Sequence, residues 1–554
     1  MLLSFLILFP LLGSLLVVLL PASLKQTFKW VTLAVCGLEL LLCGAVYSAF
    51  DPSLSDYQLL ERVDWITLPL GSLGVISIDY LVGVDGISLP LVLLSGVVML
   101  VGALASWHID HRLKAYHALY LLLTATIIGC FVALDFFLFF LFFEFMLLPM
   151  YFLIGLWGGP RREYASIKFF LYTLAGSVLI LLVMISLYLS VMDPIETALQ
   201  IGLIDDRSEA TDELIRQVQY LLSEYKLRSE QLVHTFDLRY MAHGGNYLPD
   251  SLLGPTGETV WFGIPSRLLA FLCVFLGFAI KLPVVPVHTW LPDAHVEAPT
   301  PVSVVLAGVL LKIGGYGFLR IGWGLFPDGA AEYALLLAGL GVISIVYGGF
   351  NALAQSDLKK MIAYSSVSHM GFVLLGIASL TSEGINGAVY QMASHGVLSA
   401  MLFLLTGVIY DRTHDRRIDH YRGLASAMPG YTALTAIAFF ASLGLPGFSG
   451  FVGELFTLMG SFQSLWLPGW MTAVATLGII LAAAYFLWTL QRMFFGTLWS
   501  RTEPLSALTD LDTRERLMLI PLAALALLLG LHPNLLFDLT NATVAEWIQR
   551  FRVE

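Results

Sequence analysis

Apolar runs long enough to cross a membrane recur along nearly the whole 554-residue chain, and they constrain its fold more than any other feature. A helix needs about 20 apolar residues to cross about 30 Å of hydrocarbon. Because backbone polar groups must be paired within lipid, spanning structures are helices or closed barrels. Hydrophobic residues make up 58% of the chain and charged residues only 12%, against a usual charged share of about 25%. We therefore expect an all-α polytopic membrane protein.

Fourteen of these runs are predicted to be transmembrane helices. They cover approximately residues 3–21, 29–50, 86–107, 116–134, 136–157, 167–192, 266–287, 300–323, 332–353, 359–380, 386–410, 430–464, 469–498 and 516–537. The first run lacks a basic segment before it and a small-residue cleavage site after it. We therefore interpret it as a retained helix and not as a removed signal peptide.

The basic residues of the loops test this assignment. If all fourteen runs cross the membrane, one face carries Lys25, Lys29, Arg112, Lys114, Arg161, Arg162, Lys168, Lys359, Lys360, Arg412, Arg416, Arg417, Arg422, Arg492, Arg501, Arg514 and Arg516. We call it the basic face. Cytoplasmic loops carry an excess of Lys and Arg, so the basic face is predicted to be cytoplasmic and both termini to lie outside.

One long polar segment, at about 193–265, interrupts the apolar pattern after the sixth run. Five apolar residues within it recur at helical spacing: Leu214, Val218, Leu221, Leu222 and Tyr225. This pattern predicts a short amphipathic helix, which would lie on the membrane surface or dock on another subunit. Because surface loops tolerate insertions, we expect the segment to be an insertion without chemistry of its own.

Two of the runs carry a break next to an ionisable residue. Lys281 is followed by Pro283 and Pro286, and a Gly/Pro cluster in 441-ASLGLPGFSGFVGELF-456 precedes Glu454. Proline and glycine weaken helical hydrogen bonding, and such breaks at membrane depth require protein or water beside the freed backbone. Paired broken helices in two halves of a transporter indicate inverted repeats with an ion site near the midplane.

Six ionisable residues lie deep within the predicted helices: Glu144, Lys281, Lys312, His369, His395 and Glu454. A charge at the bilayer centre costs about 2.5 to 3.5 kcal/mol, so Glu144 needs a partner, and Lys281 is the expected one. Gln391, His395 and Ser399 are spaced i, i+4, i+8 and form one polar stripe. Buried lysines near carboxylates can load and release protons, and histidine suits transfer between them. The set predicts a proton relay, with hydrogen-bonded packing as the alternative for each histidine.

Other chemistries have weaker signals in the sequence. The four cysteines, Cys36, Cys43, Cys130 and Cys273, lie in apolar runs without a C-x-x-C pair, which indicates neither a disulfide framework nor a metal site. A metal site remains open as an alternative where four potential ligands crowd one connection: His288, Asp293, His295 and Glu297. No haem, flavin or G-x-G-x-x-G nucleotide signature occurs, so no bound cofactor is expected. The net charge of −11, with scattered basic residues, argues against nucleic acid.

Four stretches carry a resemblance to a known family. They are HTWLPDAHVEAPTPVSVVLAGVLLKIGGYGFLRI, DLKKMIAYSSVSHMGF, FFEFMLLPMYFLIGLWGG and GLPGFSGFVGELF. Over nearly its whole length the chain resembles the chain M type of antiporter-like membrane subunits in proton-pumping NADH-quinone oxidoreductase, the bacterial respiratory complex I. The segment 193–250 departs from the family because it is longer than the usual connection after the sixth helix.

The resemblance implies an architecture and a set of site residues. It implies two inverted five-helix repeats, each with a broken helix and a half-channel. The N-terminal three helices would occupy 1–115, the two repeats 116–323 and 324–500, and the last helix and tail 501–554. By motif position, Glu144 and Lys281 resemble the acid–lysine pair of the first half and Lys312 the central lysine. His369 and His395 resemble the linking imidazoles, and Glu454 the terminal carboxylate.

The resemblance also implies a function and partners. The chain would move protons while NADH oxidation and quinone reduction proceed in other subunits, which would hold the flavin, iron–sulfur clusters, NADH and quinone. Its partners would be the chain L and chain N types of the membrane arm, in a bacterial inner membrane. Glu454, where sister subunits often carry lysine, favours the chain M type. Two alternatives remain: a subunit of a multi-chain cation/proton antiporter or membrane-bound hydrogenase, and a scaffold that carries no protons.

Overall fold

The computed structural model describes residues 1–69, 75–255, 257, 259–501 and 508–549. The α-helices within these residues are α1 Leu2–Leu19, α2 Lys25–Ala49, α3 Leu89–Ala105, α4 Leu113–Val132, α5 Phe136–Phe145, α6 Leu147–Trp157, α7 Arg162–Tyr188, α8 Pro194–Gln200, α9 Asp212–Ser223, α10 Leu238–Met241, α11 Ser266–Lys281, α12 Trp290–Glu297, α13 Thr300–Val305, α14 Leu311–Gly317, α15 Pro327–Glu332, α16 Ala334–Leu353, α17 Leu358–Ala378, α18 Ser382–Thr413, α19 Leu424–Ala427, α20 Pro429–Ser442, α21 Ser449–Gln463, α22 Gly469–Ala475, α23 Leu477–Phe494, α24 Thr513–Leu531 and α25 Asn534–Gln549. The strands are β1 Gln58–Pro69, β2 Val75–Val84, β3 Val233–His234, β4 Val260–Trp261, β5 Ile264–Pro265, β6 Tyr421–Arg422 and β7 Trp499–Ser500.

Most of the chain forms long apolar helices, which confirms the predicted class of all-α polytopic membrane protein. Among the described residues, 11 helices are long and apolar enough to cross a membrane, or 12 if α24 and α25, bent by 61°, count as one span. A total of fourteen also requires α11 with α12, and α20 with α21, to cross as interrupted helices. The count of fourteen therefore stays a prediction.

Contacts between helix ends sort the loops into two groups. The loops assigned to the basic face are joined by the pairs Lys29–Trp107, His111–Trp157, Ala298–Lys359, Asp357–Arg416 and Arg412–Glu515. The other loops are joined by the pairs Met1–Glu61, Gly86–Thr543, Arg267–Asp328, Ser379–Ser464 and Asn386–Asn541. The grouping agrees with the predicted sorting of basic residues. It also places the N-terminus and α25 together at the end opposite the basic face.

A β-hairpin between α2 and α3 was not predicted from the sequence. Strands β1 and β2 pair antiparallel, and β2 pairs parallel with β3, which comes from the polar segment after α7. Arg62 on β1 binds Asp79 on β2 at 2.6 Å and lies 3.8 Å from Asp193 of the polar segment. The hairpin therefore anchors the insertion at the face opposite the basic face.

The polar segment contains the predicted amphipathic helix, which is α9. Val218 and Leu222 are buried against a small apolar core that includes Met192, Ala198 and Leu232, whereas Tyr225 lies beyond the helix end and is exposed. The exposed positions of the helix are mostly polar, and Leu214 also packs on the small core. The insertion is thus a small folded unit with its own core, attached to the ends of the membrane helices opposite the basic face.

Candidate functional site

Lys312 lies at the centre of a helix that is buried along its whole length. The helix runs from Thr300 to Trp323 and includes two π-helical stretches, Leu306–Leu310 and Phe318–Trp323. The Lys312 side chain is fully buried, and its Nζ donates to the Ala307 carbonyl oxygen at 2.5 Å. A π-helical turn shifts the regular backbone hydrogen-bonding pattern, which is a common feature of functional helices. The ammonium is therefore held by backbone and not by a carboxylate.

Three further residues continue from Lys312 through the second half of the chain. The Lys312 Nζ lies 2.7 Å from Nδ1 of His395 on α18. The rings of His395 and His369, on α17, have centroids 5.4 Å apart. The His369 Nδ1 then lies 3.2 Å from Oε1 of Glu454 on α21. The structure thus brings four of the six predicted site residues into one row across four helices.

Small polar side chains line this row. A narrow cavity of about 10 Å³ beside the two imidazoles is bounded by His369, His395, Ser365, Gln391, Ser394, Ser399 and Ser442, among others. A space of this size is close to that of one water molecule, and it has several hydrogen-bonding groups around it. The Gln391 Nε2, from the polar stripe on α18, lies 3.3 Å from Nδ1 of His369 on α17.

A break between α20 and α21 places Glu454. Gly444 and Gly447 in the connection have φ of +79° and +98°, values that side chains rarely adopt. A Cβ atom at Gly444 would lie 2.6 Å from the Glu454 Oε2, so a larger residue there would displace the end of that side chain. Glu454 is buried, and its Oε2 has no hydrogen-bond partner in the described part of the chain. The Gly/Pro cluster thus makes room for an ionisable group inside the bundle.

The broken helix of the first half is α11, and its last residue is Lys281. The chain then turns through residues 282–289 before α12 begins. The Trp290 indole donates to the Ile280 carbonyl oxygen at 2.7 Å, and the Ser344 hydroxyl accepts from the Val285 N–H at 3.0 Å. These bonds satisfy backbone groups that the break leaves without helical partners. Lys281 is therefore positioned at an ordered helix break, as the sequence predicted.

The predicted direct pairing of Glu144 with Lys281 is not formed. The Lys281 Nζ has no hydrogen-bond partner among the described residues, and Glu144 Oε1 has none either. Phe143, the neighbour of Glu144 on α5, instead places its ring centroid 4.9 Å from the ammonium, where a cation–π contact stabilises the charge. The Glu144 carboxylate is within hydrogen-bonding reach of the Ser177 hydroxyl on α7, and its interaction with Lys281 is electrostatic. The pair is an electrostatic couple without contact.

The first pair and the second row remain separate in the structure. Helix α14 packs on the break after α11, and a Cβ at Gly314 would lie 2.5 Å from the Leu282 backbone nitrogen. The backbones of the two lysine-bearing segments are therefore in contact. Because Lys281 has no hydrogen-bond partner in the described residues, no direct hydrogen bond joins it to Lys312.

The sequence did not place two buried residues, which lie between the row and the basic face, in the predicted proton relay. Lys359 is buried, and its Nζ donates to the Ala298 carbonyl oxygen at 2.5 Å beside a cavity of about 520 Å³. His295 is fully buried, stacks on Phe403 with centroids 4.4 Å apart, and interacts electrostatically with Lys359 and Lys312. Lys359 was placed only among the loop charges because it follows the helix start directly. The pattern of apolar runs did not predict that Lys359 is buried.

The four potential metal ligands near the first break do not converge. Asp293 binds Lys168 at 2.7 Å, and Glu297 lies 3.6 Å from Arg161. His288 packs against Tyr347, while the His295 ring stacks on Phe403. Among the residues that the structure describes, no group of three or more His, Cys, Asp or Glu side chains could hold a metal ion.

A second polar cluster lies at the face opposite the basic face. Asp135 precedes α5, and its carboxylate accepts from the N–H groups of Leu138 at 2.8 Å and Asp79 at 3.3 Å. Burial raises the pKa of Asp135 to about 8, although these N–H groups act to lower it. Burial likewise raises the pKa of Asp193 to about 7. The cluster joins the helix that carries Glu144 to the hairpin and the insertion.

Comparison with known proteins places these features within one family. The family model described as NADH:quinone oxidoreductase/Mrp antiporter, TM, matches residues 133–201 and 235–480, a span that includes all six predicted site residues. The NADH-quinone oxidoreductase subunit M of Rhodobacter capsulatus is 41% identical over 536 residues, covering 96% of this chain and 93% of the relative. The subunit M of Rickettsia bellii is 36% identical over 554 residues, covering 99% and 98%.

Solved structures agree with the sequence relatives. A chain of respiratory complex I from Thermus thermophilus with bound NADH is 29% identical, with a TM-score of 0.76 and 99% of each chain covered. A chain of the Mrp complex from Dietzia has a TM-score of 0.75 at 23% identity, a likeness that shows the fold alone. The relatives match the chain almost from end to end, including the N-terminal helices. This chain therefore belongs to the family of NADH-quinone oxidoreductase subunit M, the antiporter-like membrane subunits of proton-translocating complex I.

Proposed function

We propose that this membrane-arm subunit carries protons along the row Lys312–His395–His369–Glu454, and that Glu144 and Lys281 control the loading of that row. The observation that carries the proposal is the direct contact of Lys312 with His395 and of His369 with Glu454 inside the bundle. Buried ionisable groups in membrane helices are expensive and mark ion pathways. If these four residues served packing alone, apolar side chains would fill the same space at a lower free-energy cost. Their presence in one row therefore supports a role in ion transfer.

The geometry of the contact between Lys312 and His395 determines which atom donates a proton and which atom accepts it. Lysine has only donors, so when Lys312 is an ammonium the His395 Nδ1 accepts and the ring carries its proton on Nε2. Transfer of a proton to Nδ1 leaves a neutral amine and an imidazolium. Release from Nε2 toward the polar cavity returns the ring to its neutral form. His395 thus passes a proton by taking it on one nitrogen and giving it from the other.

The second contact works as a two-position switch. The His369 Nδ1 lies 3.2 Å from the Glu454 Oε1 and 3.3 Å from the Gln391 Nε2. With a proton on Nδ1, the ring donates to the carboxylate. Without it, Nδ1 accepts from the Gln391 amide. The two arrangements need little movement of the ring, and Glu454 receives a proton only in the first.

The first half acts on the row through charge. Lys281 is fully enclosed, and its ammonium is favoured by Glu144 and by the Phe143 ring. Protonation of Glu144 removes its attraction for the Lys281 charge, so Lys281 releases its proton more readily. A change of charge at Lys281 then alters the field at Lys312, whose backbone lies against the same break. The residues 116–323 and 324–500 are accordingly proposed to be two inverted repeats that take alternate parts in one cycle.

The remaining assignments follow from membership of the assembly. The partners are other membrane-arm subunits of complex I, of the chain L and chain N types, and the flavin, iron–sulfur clusters, NADH and quinone belong to partner subunits. The chain contributes proton movement and no redox chemistry. The location is the bacterial inner membrane, with the basic face cytoplasmic and both termini on the outer face.

Purification of the native assembly, followed by reconstitution into proteoliposomes, tests the proposal. We expect NADH oxidation by quinone with proton uptake into the vesicles, and loss of both in Lys312→Ala at matched assembly. An assembly without NADH oxidation that exchanges cations for protons would favour the antiporter alternative, which shares the fold. Unchanged pumping in Lys312→Ala would favour the scaffold.

A further inference from the structure

A buried carboxylate of the N-terminal helices lies outside the six predicted site residues and outside the residues matched by the family model. Glu39 is in the middle of α2 and is fully buried. Neither of its carboxylate oxygens has a hydrogen-bond partner in the described part of the chain. A buried carboxylate without partners costs several kcal/mol if it is ionised. Glu39 is therefore retained as a neutral acid or serves to bind a cation.

The surroundings of Glu39 favour a proton over any other cation. Cys36 and Cys43 lie one turn to either side on the same helix face, and both interact electrostatically with Glu39. Thr124 and Tyr120 on α4 approach Cys36, while the Cys43 thiol donates to the Val92 carbonyl oxygen of α3 at 3.6 Å. Sodium and other hard cations require several oxygen ligands, and thiols are poor ones. A proton needs only the carboxylate.

A stripe of polar groups leads from Glu39 toward the basic face. Thr32 is fully buried two turns before Glu39 on α2, and its hydroxyl lacks a hydrogen-bond partner among the described residues. On the facing helix α4, His117 is buried, and neither of its ring nitrogens has a hydrogen-bond partner among the described residues. His117 also interacts electrostatically with Lys29. Lys29 lies at the basic face, where its Nζ donates to the Trp107 carbonyl oxygen at 2.7 Å.

The same helix face is closed in the other direction. Beyond Cys43 the buried residues of α2 are Val46, followed by Phe50 at the helix end. These side chains offer no donor or acceptor toward the opposite face. Access to Glu39 is therefore from the basic face alone, so the arrangement suits a binding site and not a second channel.

We propose that Glu39 is a proton-binding site of the N-terminal helices, loaded from the basic face between α2 and α4, and that α3 links its charge to the Lys312–His395 pair. Helix α3 contacts both. A Cβ at Gly96 would lie 3.0 Å from the Cys43 Sγ. On its other side, Val98 packs on Gly308 and Leu94 on Gly396, beside Lys312 and His395 respectively. The link to proton transfer rests on the proposed function, whereas proton binding at Glu39 does not.

Infrared difference spectroscopy of the intact assembled complex tests proton binding directly. The wild type minus Glu39→Gln difference should contain a protonated carboxyl band that shifts in D₂O. Thr32→Val, which lies on the path, should slow this exchange, whereas Cys43→Ala, beyond Glu39, should leave it unchanged. No such band, a band that never exchanges, or a band that sodium displaces would each overturn the site.

The link through α3 has a separate readout. Lys312→Ala should shift the Glu39 band, because removal of a nearby charge changes the field across α3. An unshifted band would overturn the link while leaving the binding site intact. If the band behaves as expected but Lys312→Ala pumps normally, the proposed relay fails and the Glu39 site stands.

Discussion

The two broken helices place their ionisable residues in opposite ways. In the second half, Glu454 follows the break, and a row of two histidines connects it to Lys312. The His369 Nδ1 lies 3.2 Å from the Glu454 Oε1, and the His395 Nδ1 lies 2.7 Å from the Lys312 Nζ. In the first half, Lys281 precedes the break, and its Nζ has no hydrogen-bond partner among the described residues. Its ammonium faces the Phe143 ring instead. One half is thus built as a hydrogen-bonded row and the other as a separated charge couple.

This difference indicates a division of labour. A hydrogen-bonded row moves protons in single short steps, because donors and acceptors are already within reach. A separated couple in a low-dielectric interior instead acts over distance, since the Coulomb energy at any given separation is larger there than in water. In the proposed function, the hydrogen-bonded row is suited to transport, and the couple of Glu144 and Lys281 is suited to control.

Lys312 should give the largest effect, because the whole row depends on it. Lys312→Ala removes the donor to His395 and should lower proton pumping by about a hundredfold, within the range for a lost proton-transfer group. Lys312→Arg keeps the charge but does not release a proton, since guanidinium stays protonated up to about pH 12. Both variants should fail in reconstituted vesicles at matched assembly. Full activity in Lys312→Arg would mean that this position is a fixed charge and that the row carries no protons through it.

Glu144 should give the next largest effect and should separate contact from charge. Glu144→Ala removes the counter-charge of Lys281, and pumping and coupled NADH–quinone activity should both fall sharply. Because no hydrogen bond joins the two side chains, Glu144→Asp should retain a substantial part of the activity. Phe145→Leu, an exposed neighbour on the same helix, provides the matched control. If Glu144→Asp is as inactive as Glu144→Ala, the couple requires contact, and the two halves differ less than the structure indicates.

Glu454 should give a graded effect. Glu454→Ala removes the last acceptor of the row, whereas Glu454→Lys leaves a group that can still titrate when buried. We therefore expect appreciable pumping in the lysine variant and little in the alanine variant. Gly444→Ala should also lower pumping, because its Cβ would meet Oε2 at 2.6 Å and its φ is +79°. Equal activity of Glu454→Ala and the wild type would end the row at His369.

The sequence predicted the long apolar helices better than the connections between them. Insertion cost alone selected Glu144, Lys281, Lys312 and Glu454, because an idle charge inside an apolar run is improbable. Proline and glycine located both breaks. The separation of Glu144 from Lys281 could not be predicted, since it depends on the position of the Phe143 ring.

Other features were missed because their signals are local and weak. The β1–β2 hairpin has the alternating pattern of 62-RVDWITLP-69, but it was overshadowed by the apolar runs on either side. Glu39 lies in an apolar run as Glu144 does, yet it was not among the six selected residues. The burial of Lys359 and His295 depends on how α12, α17 and α18 pack, which no single run specifies.

The insertion should give the smallest effect, because it lies at the end opposite the basic face and holds none of the row. Replacing Asp205–Lys226 with a short linker removes α9 but keeps Asp193, which caps α8 through the N–H groups of Ile195 and Glu196. Pumping should be preserved, even if a subunit contact is loosened. Val218→Asp should expose the small core of the insertion to protease, again without loss of pumping. Protease added to intact spheroplasts should cut this variant from the outer face, because the insertion and the basic loops lie at opposite ends of the bundle. Cleavage only from the cytoplasmic side would reverse the topology, and the row would then deliver protons in the opposite direction.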